Sequence, residues 1–521
     1  MSIARFLVAL VAVLALATLS HGEPAMAAPA EYTVDSTTDS PDSNPGDGVC
    51  ESIAGGCSLR AAIQEANADA EAQTITLPPG TFALTIAGAS ENQGATGDLD
   101  ITEDLTIIGS GPVPAAASSS SGPGTIIDAN GLDRVFHVLD GVTFTVSGAT
   151  ITGGSAPEDE GGAGVWARPD SSVTLDTVVV TENQTSGLSN SKHVGGAVLN
   201  GEGAVTISNT LISNNVADRG GGIFNAGTMT VESSTIAFNS ARAVGGILTY
   251  FALELTNSTV TGNTATNNSS GVFVDGGETI PDFEVNILNS TIANNPGNDY
   301  INGLINRSDT GTVTNTIIAN NGFSNCDGDI ISGGHNIGTD DTCSFNAAGD
   351  LPNVPNAGLA PLADYGGPTK TISLLEGSPA IDAGDNAACP ATDQRGVARP
   401  IDGDGVGGAV CDIGAVETED PIAGTSVAWG DWNCSGATDP VDALLTLRFD
   451  AGLSTNTGAC PPMGDIVDVN GSARPWGDGD CSGAADPVDA LKLLRFDAGL
   501  SVTQEPQCPQ LGGDVIVAVD S

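Results

Sequence analysis

Leu255-Thr256-Asn257-Ser258-Thr259-Val260-Thr261-Gly262-Asn263 is the stretch from which the fold can be read. Its pattern is apolar, any, Asn or small, Ser/Thr or small, Thr or apolar, apolar, any, any, Asn. With some drift it recurs over Val146–Gly154, Leu175–Asn183, Ile207–Asn215, Val231–Asn239, Ile287–Asn295 and Val313–Asn321. The copies start 24 to 32 residues apart. A second anchor precedes several of them: Gly196-Ala197-Val198-Leu199-Asn200, Gly222-Ile223-Phe224-Asn225, Gly246-Ile247-Leu248-Thr249 and Ser270-Gly271-Val272-Phe273-Val274. A period near 25 residues, built from β-branched residues and turn formers, predicts a solenoid with one coil per repeat. The apolar positions alternate rather than following a 3.6-residue period, which excludes helical repeats, and the leucine framework of leucine-rich repeats is missing.

Stacked at β spacing, seven such coils span roughly 34 Å. Aligned Asn residues at the ninth position are expected to bond along the stack as a structural ladder. The longer periods predict loops near 184–194 and 265–282. Composition agrees with tight turns: 69 Gly and only 4% aromatic residues.

Outward from this centre, the N-terminus reads as a signal peptide. Arg5 is its basic region, Phe6 to Leu19 its apolar run, and Ala25-Met26-Ala27 its cleavage site. The apolar run is too short for a comfortable membrane span, and no later segment is long enough. Export suits the ten cysteines, which fall in close couples: Cys50/Cys57, Cys326/Cys343, Cys389/Cys411, Cys434/Cys460 and Cys481/Cys508. Local disulfides in an oxidising compartment are the simplest reading. The absence of C-x-x-C and the presence of only four His argue against zinc. A net charge of −49 excludes nucleic acid and anionic membranes as partners, because phosphates need Lys and Arg.

The exposed ends of a solenoid need covers. Upstream, Ser58 is a candidate N-cap for a helix that puts Leu59, Ala62, Ile63 and Ala66 on one face, a lid for the first coil. Strands then start in the run Thr74–Phe82.

Cys57-Ser58-Leu59-Arg60-Ala61-Ala62-Ile63 resembles the CSLREA segment of exported bacterial β-helix proteins, with Ala61 in place of its Glu. Pro361–Thr369, Gly377–Gly384, Asp393-Gln394-Arg395-Gly396 and Cys411–Glu417 resemble the segment known as choice-of-anchor Q. Together they bracket most of residues 31–417. The resemblance implies a right-handed parallel β-helix of pectate-lyase type, and export. It implies no set activity.

Residues 429–521 hold a duplicated unit at an offset of 47: Trp429-Gly430-Asp431-Trp432-Asn433-Cys434-Ser435-Gly436 recurs as Trp476-Gly477-Asp478-Gly479-Asp480-Cys481-Ser482-Gly483. Each copy continues into an amphipathic helix that ends near Gly452 or Gly499. Oxygen ligands at loop positions 1, 3, 5, 9 and 12, with Gly at 6, are what an EF-hand-type calcium loop requires. They are Asp431, Asn433, Ser435, Asp439 and Asp442, then Asp478, Asp480, Ser482, Asp486 and Asp489. The tail resembles type I dockerin repeats, which implies calcium binding and a cohesin-like partner. It departs from them in Ser at position 5, in Pro440-Val441 and Pro487-Val488 where recognition hydroxyls often stand, and in an extra Cys pair per unit. The extra cysteines are expected to tie each loop to the segment after its helix, Cys434 to Cys460 and Cys481 to Cys508.

The chain thus divides into a signal peptide (1–27), an N-terminal cap with a helix (28–73), the β-helix (74–345), a choice-of-anchor Q-like region (346–420), a linker (421–428) and a small α-helical calcium-loop domain (429–521). Fold alone does not decide function. Lys192, Arg219 and Arg242 each lie three or four residues before a recurring Gly, with His193 and Asp218 beside them, and are expected to stack on one edge of successive coils. They are candidates for an acidic-glycan groove or for a lyase base with its helpers. Asp402, Asp404 and Asp412 form a further candidate calcium turn. The reading is a secreted, non-catalytic β-helix for adhesion, glycan binding or assembly, attached by a calcium-dependent tail. Its rival is a polysaccharide lyase or glycosidase.

Overall fold

The computed structural model describes residues 31–88, 91–112, 124–157, 161–185, 194–276, 284–296, 302–308, 311–419, 421, 425–455, 457, 460–464, 466–469, 472–504 and 508–518. Each nine-residue copy makes two short strands, as in Leu253–Thr256 and Thr259–Thr261. Between them the chain bends at position 3 through a positive φ: Thr177, Asn209, Ser233, Asn257, Asn289 and Asn315 have φ of 42° to 53°. Asn is enriched there because its short polar side chain tolerates the left-handed region.

The strands stack into four parallel sheets. The first has eleven strands, from Glu31–Thr33 to Ile331–Gly334; the second has ten, from Gly80–Ala83 to Ile337–Gly338. The third has nine, from Leu99–Ile101 to Ser324–Gly328; the fourth has five two-residue strands, from Ser155–Ala156 to Thr264–Ala265. The chain is therefore a parallel β-helix, longer than the seven coils counted from the motif: eleven rungs at ~4.8 Å span about 48 Å. Registers keep like over like, so Leu175, Ile207, Val231, Leu255, Ile287 and Val313 form one buried column.

The Asn ladder is present. Nδ2 of Asn183, Asn215, Asn239, Asn263 and Asn295 each donates to Oδ1 of the next Asn at 2.9–3.0 Å, ending at Asn321. The same Oδ1 atoms accept the preceding backbone N–H. Asn321 passes the ladder to Asn325, whose N–H donates to Asp340. A second column of hydroxyls runs from Thr210 through Ser234, Ser258, Ser290 and Thr316 and closes on Asn336.

Helix α1 (Leu59–Ala66) starts at Ser58, whose side chain accepts from Ala61 N, and lies buried at the start of the stack. Its polar face is buried as well. Arg60 pairs with Asp39 at 2.6 Å and donates to the carbonyls of Gly94, Gly97 and Asp98, while Glu65 accepts from Gly46 and Gly48.

Residues after 345 do more than follow the stack. They fold back along the outer face of the second sheet. Gln394 donates to Thr235 and Ser234, and accepts from Thr259 at 2.6 Å. Ala293, Ile317, Ala319 and Ile337 of that sheet pack with Leu359, Ile372, Leu374 and Ile413. Arg399 and Glu417, both fully buried, pair at 2.8 Å, and Arg399 also donates to the carbonyls of Asp412 and Gly414.

In the tail, α2 (Pro440–Asp450) and α3 (Pro487–Asp497) pack on a core in which Trp429, Trp432 and Trp476 meet edge to face. A four-stranded antiparallel sheet (425–428, 466–469, 472–475, 514–518) accompanies them. All five cysteine couples are disulfides in the expected pairing. That usage fits an oxidising, extracytoplasmic compartment. Among the described residues, no helix is long and apolar enough to cross a membrane. The signal peptide lies outside the described residues, as do 186–193 of the first expected loop and 277–282 of the second; within the second, Ser269–Val274 is a strand of the third sheet rather than loop.

Candidate functional sites: an aromatic face and two acidic loops

Along each strand of the third sheet, side chains alternate between core and exterior. The registers set Asp100, His137, Trp166, Leu199, Phe224, Leu248, Phe273 and Ile305 in one column. Their sequence neighbours, such as Phe136, Val165, Val198 and Ile223, belong to the central core, so the column faces outward. Leu248, Phe273 and Ile305 are covered by Ala243 and Val244, with Phe224 and Tyr250 packed alongside. Trp166, Phe224 and Tyr250 stay half-buried.

Arginines sit on these rings. The guanidiniums of Arg134 and Arg168 lie 4.8 and 5.0 Å from the Trp166 ring centre, and Arg307 lies 5.2 Å from Phe273. Arg219 lies 5.5 Å from the Tyr250 ring and 6.0 Å from Phe224, and donates to the Tyr250 hydroxyl. Contacts of this kind hold a guanidinium by its apolar plane and leave its N–H fork to a carboxylate; for Arg168 that carboxylate is Asp140, at 2.9 Å, and for Arg134 it is Asp98.

Of the three cations singled out from sequence, Arg219 therefore belongs to this face. Arg242 is held by Asp218, at 2.6 and 2.9 Å, and Asp218 is fully buried. Lys192 and His193 lie outside the described residues. The aromatic column went unnoticed in sequence because its rings fall in different repeats, one per coil; the signal was the exterior position of Gly-x-apolar-Asn anchors such as Phe224.

At the start of the column, His137 stacks on Trp166 at 4.7 Å and bonds through Nδ1 to Asp100 at 2.9 Å. Its Nε2 is buried without a partner. Asp98 pairs with Arg134 at 3.1 Å, yet burial pushes its carboxyl up to about 8. One oxygen each of Asp98 and Asp100 and one His137 nitrogen lie within 4.8 Å of one another.

The two tail loops place their acids where a cation would sit. In the second, carboxylate oxygens of Asp478, Asp480 and Asp489 lie within 4.8 Å of one another, all three residues buried. In the first, Asp431 and Asp442 are buried, and Oδ1 of both Asn433 and Asp442 has no hydrogen-bond partner. Such atoms cost free energy unless a cation or donor meets them, so positions 3 and 12, beside Asp431, could hold a metal ion. Burial pushes Asp442 up to about 6 and Asp489 up to about 7, with neighbouring carboxylates adding to the rise. Ser435 and Ser482, at position 5, are exposed. At position 9, Asp439 and Asp486 cap α2 and α3, accepting from Val441 and Val488 at 2.7 Å.

The third expected calcium turn needs correction. Asp402 and Asp404 group with Asp382, not with Asp412. Asp412 is fully buried, and its carboxylate accepts the N–H groups of Asp382 and Thr418.

A protein-family model described as a right handed beta helix region matches residues 135–323. No curated protein and no solved structure matches the chain. The chain is a right-handed parallel β-helix over that span, and its specific role is a matter for proposal.

Proposed function

We propose that this is a secreted, displayed β-helix that binds an acidic polysaccharide along the outer face of its third sheet and is attached through a calcium-loaded tail. The observation that carries the reading is the series of half-buried rings Trp166, Phe224 and Tyr250, each with an arginine beside it. Rings offer apolar faces to sugar, and Arg219, bonded to the neutral Tyr250 hydroxyl, supplies positive charge beside them in a chain that is otherwise strongly acidic. Residues 28–73 serve as the cap, 346–420 as the choice-of-anchor Q-like cover, and 429–521 as the dockerin-like attachment module. Exposed apolar residues recur on its two helices at matching positions, Val441, Leu444 and Leu447 on α2 and Val488, Leu491 and Leu494 on α3, which supports docking onto a cohesin-like or other surface protein.

A second reading, a polysaccharide lyase or glycosidase, is favoured by the Asp100–His137 couple at the end of the same face, with His137 Nε2 unpartnered. One experiment separates the two. The mature protein is run through acidic and neutral polysaccharide gels, and incubated with both for unsaturated products and new reducing ends. Retardation by acidic gels that Trp166→Ala weakens, with no product, is the expected result. Product that disappears in His137→Ala establishes the enzyme instead.

A further inference from the structure

The duplicated tail is an alignment of the protein with itself, and over 429–452 and 476–499 it breaks at five positions, two of which bear on the loops. Loop position 3 is Asn433 in the first unit and Asp480 in the second. On the following helix, Leu445 in α2 corresponds to Lys492 in α3. The two differences meet in space: Lys492 Nζ lies 2.8 Å from Asp480 Oδ2. In the first unit the corresponding Leu445 is buried and carries no ammonium, while Asn433 Oδ1 and Asp442 Oδ1 have no hydrogen-bond partner among the described residues.

Charge is therefore conserved while its source changes. Leaving aside position 9, an Asp in both units, the first site sets two carboxylates and an amide around the cation position; the second sets three carboxylates and a tethered ammonium. Both carry minus two before metal binds. The second, however, must release or share an oxygen already held by Lys492, whereas the first has oxygens waiting. Removing a charge-assisted bond from a ligand costs binding free energy.

Resting on the calcium reading above, we propose that Lys492 is a built-in counter-ion that makes the two loops unequal: the Asp431 loop fills at low calcium, and the Asp478 loop stays in shape without metal and fills only at higher calcium. The indoles couple the loops, since Trp476 donates to the carbonyl of Trp432 and Trp429 to that of Gly479, so tryptophan emission reports on both.

The test is calorimetric and fluorimetric titration of the full mature chain with calcium alone. Two binding steps at least tenfold apart are expected, the tighter lost in Asp431→Ala and the weaker in Asp478→Ala. Lys492→Leu, the first unit's own residue, is expected to tighten the weaker step about tenfold, and Lys492→Gln to do so without adding apolar bulk. Asp480→Asn with Lys492→Leu copies the first site and brings the two steps within a few-fold. Two equal steps in the unaltered protein, or a weaker step unmoved by both Lys492 variants, overturns the counter-ion proposal while calcium binding stands. No binding at either loop with all five disulfides intact removes the calcium reading itself.

Discussion

Two outward faces of the same β-helix have opposite fates. The second sheet presents Thr235, Thr259, Thr291 and Ile317 outward, and the protein's own residues 355–417 cover them, with Gln394 spanning two coils and Gly414 set against Ile317. The third sheet presents aromatic rings in the same kind of column and leaves three of them half-buried beneath arginines. Outward residues on the covered face are small, β-branched or apolar, and interlock with a partner chain segment. On the other face aliphatic side chains such as Leu199 and Leu248 alternate with rings, and the rings Trp166, Phe224 and Phe273 each have an arginine beside them. Stacking supplies both faces with order; what distinguishes a structural face from a recognition face is whether the chain itself completes it.

If that contrast is right, damage to the cover costs stability and leaves recognition intact. The largest effect is expected at Arg399. Its guanidinium is buried, burial lowers its pKa, and its partner Glu417 has no exposure. Arg399→Ala strands that carboxylate, and removing one partner of a buried pair costs roughly 3–5 kcal/mol. Chemical unfolding is expected to show this loss and early proteolysis within 355–417, with acidic-polysaccharide retardation of the surviving folded fraction unchanged. A loss below ~1 kcal/mol breaks the view of this segment as an integral cover.

A smaller cost is expected in the ladder that both faces share. Asn239→Ala removes bonds to Asn215 and Asn263 and the one to the Ile212 carbonyl, leaving buried groups unpaired. That is worth about 2–3 kcal/mol. Because the ladder lies at a corner between faces, the unfolding midpoint is expected to fall while glycan retardation holds.

The ladder was legible in sequence and the faces were not, for one physical reason. Asn at position nine performs the same task in six successive coils, from Asn183 to Asn321, so it repeats at the period of the fold. Trp166, Phe224 and Tyr250 perform their task jointly, one ring per coil and at differing offsets, so no local window contains the group. Helix α1 shows the same limit. Its apolar face was readable from Leu59, Ala62, Ile63 and Ala66, but nothing local marks Arg60 and Glu65 as buried, because their partners Asp39, Gly46 and Gly94 come from segments with no periodicity. The acidic cluster of Asp478, Asp480 and Asp489 was within reach of sequence, since its members fall within twelve positions of one loop. The role of Lys492 was not, because it faces the loop from the next element.

On the recognition face, effects should appear in binding rather than in stability. Trp166→Ala removes a ring that carries two arginines, and Arg219→Ala removes the cation over Tyr250. An aromatic platform or a cation–π contact is worth about 1–1.5 kcal/mol, so affinity for an acidic oligosaccharide is expected to fall about tenfold for each. Calorimetry at low and high salt sharpens the assignment, since the Arg219 effect shrinks with salt and the Trp166 effect does not.

The smallest effect separates the two arginines that looked alike in sequence. Arg242 is tied to Asp218 and half-exposed, and its guanidinium is held above its usual pKa by the hydrogen bond to that carboxylate. Its charge is already neutralised, so Arg242→Ala is expected to change acidic-oligosaccharide affinity by less than about twofold, where Arg219→Ala costs about tenfold. Asp218 would then lose its partner, and a stability loss of ~1 kcal/mol is expected, discounted for the exposure of Arg242. Equal losses of affinity in both variants would show that the ligand spans the coil edge rather than the aromatic column, and would move the recognition surface to the turns that precede Gly222 and Gly246.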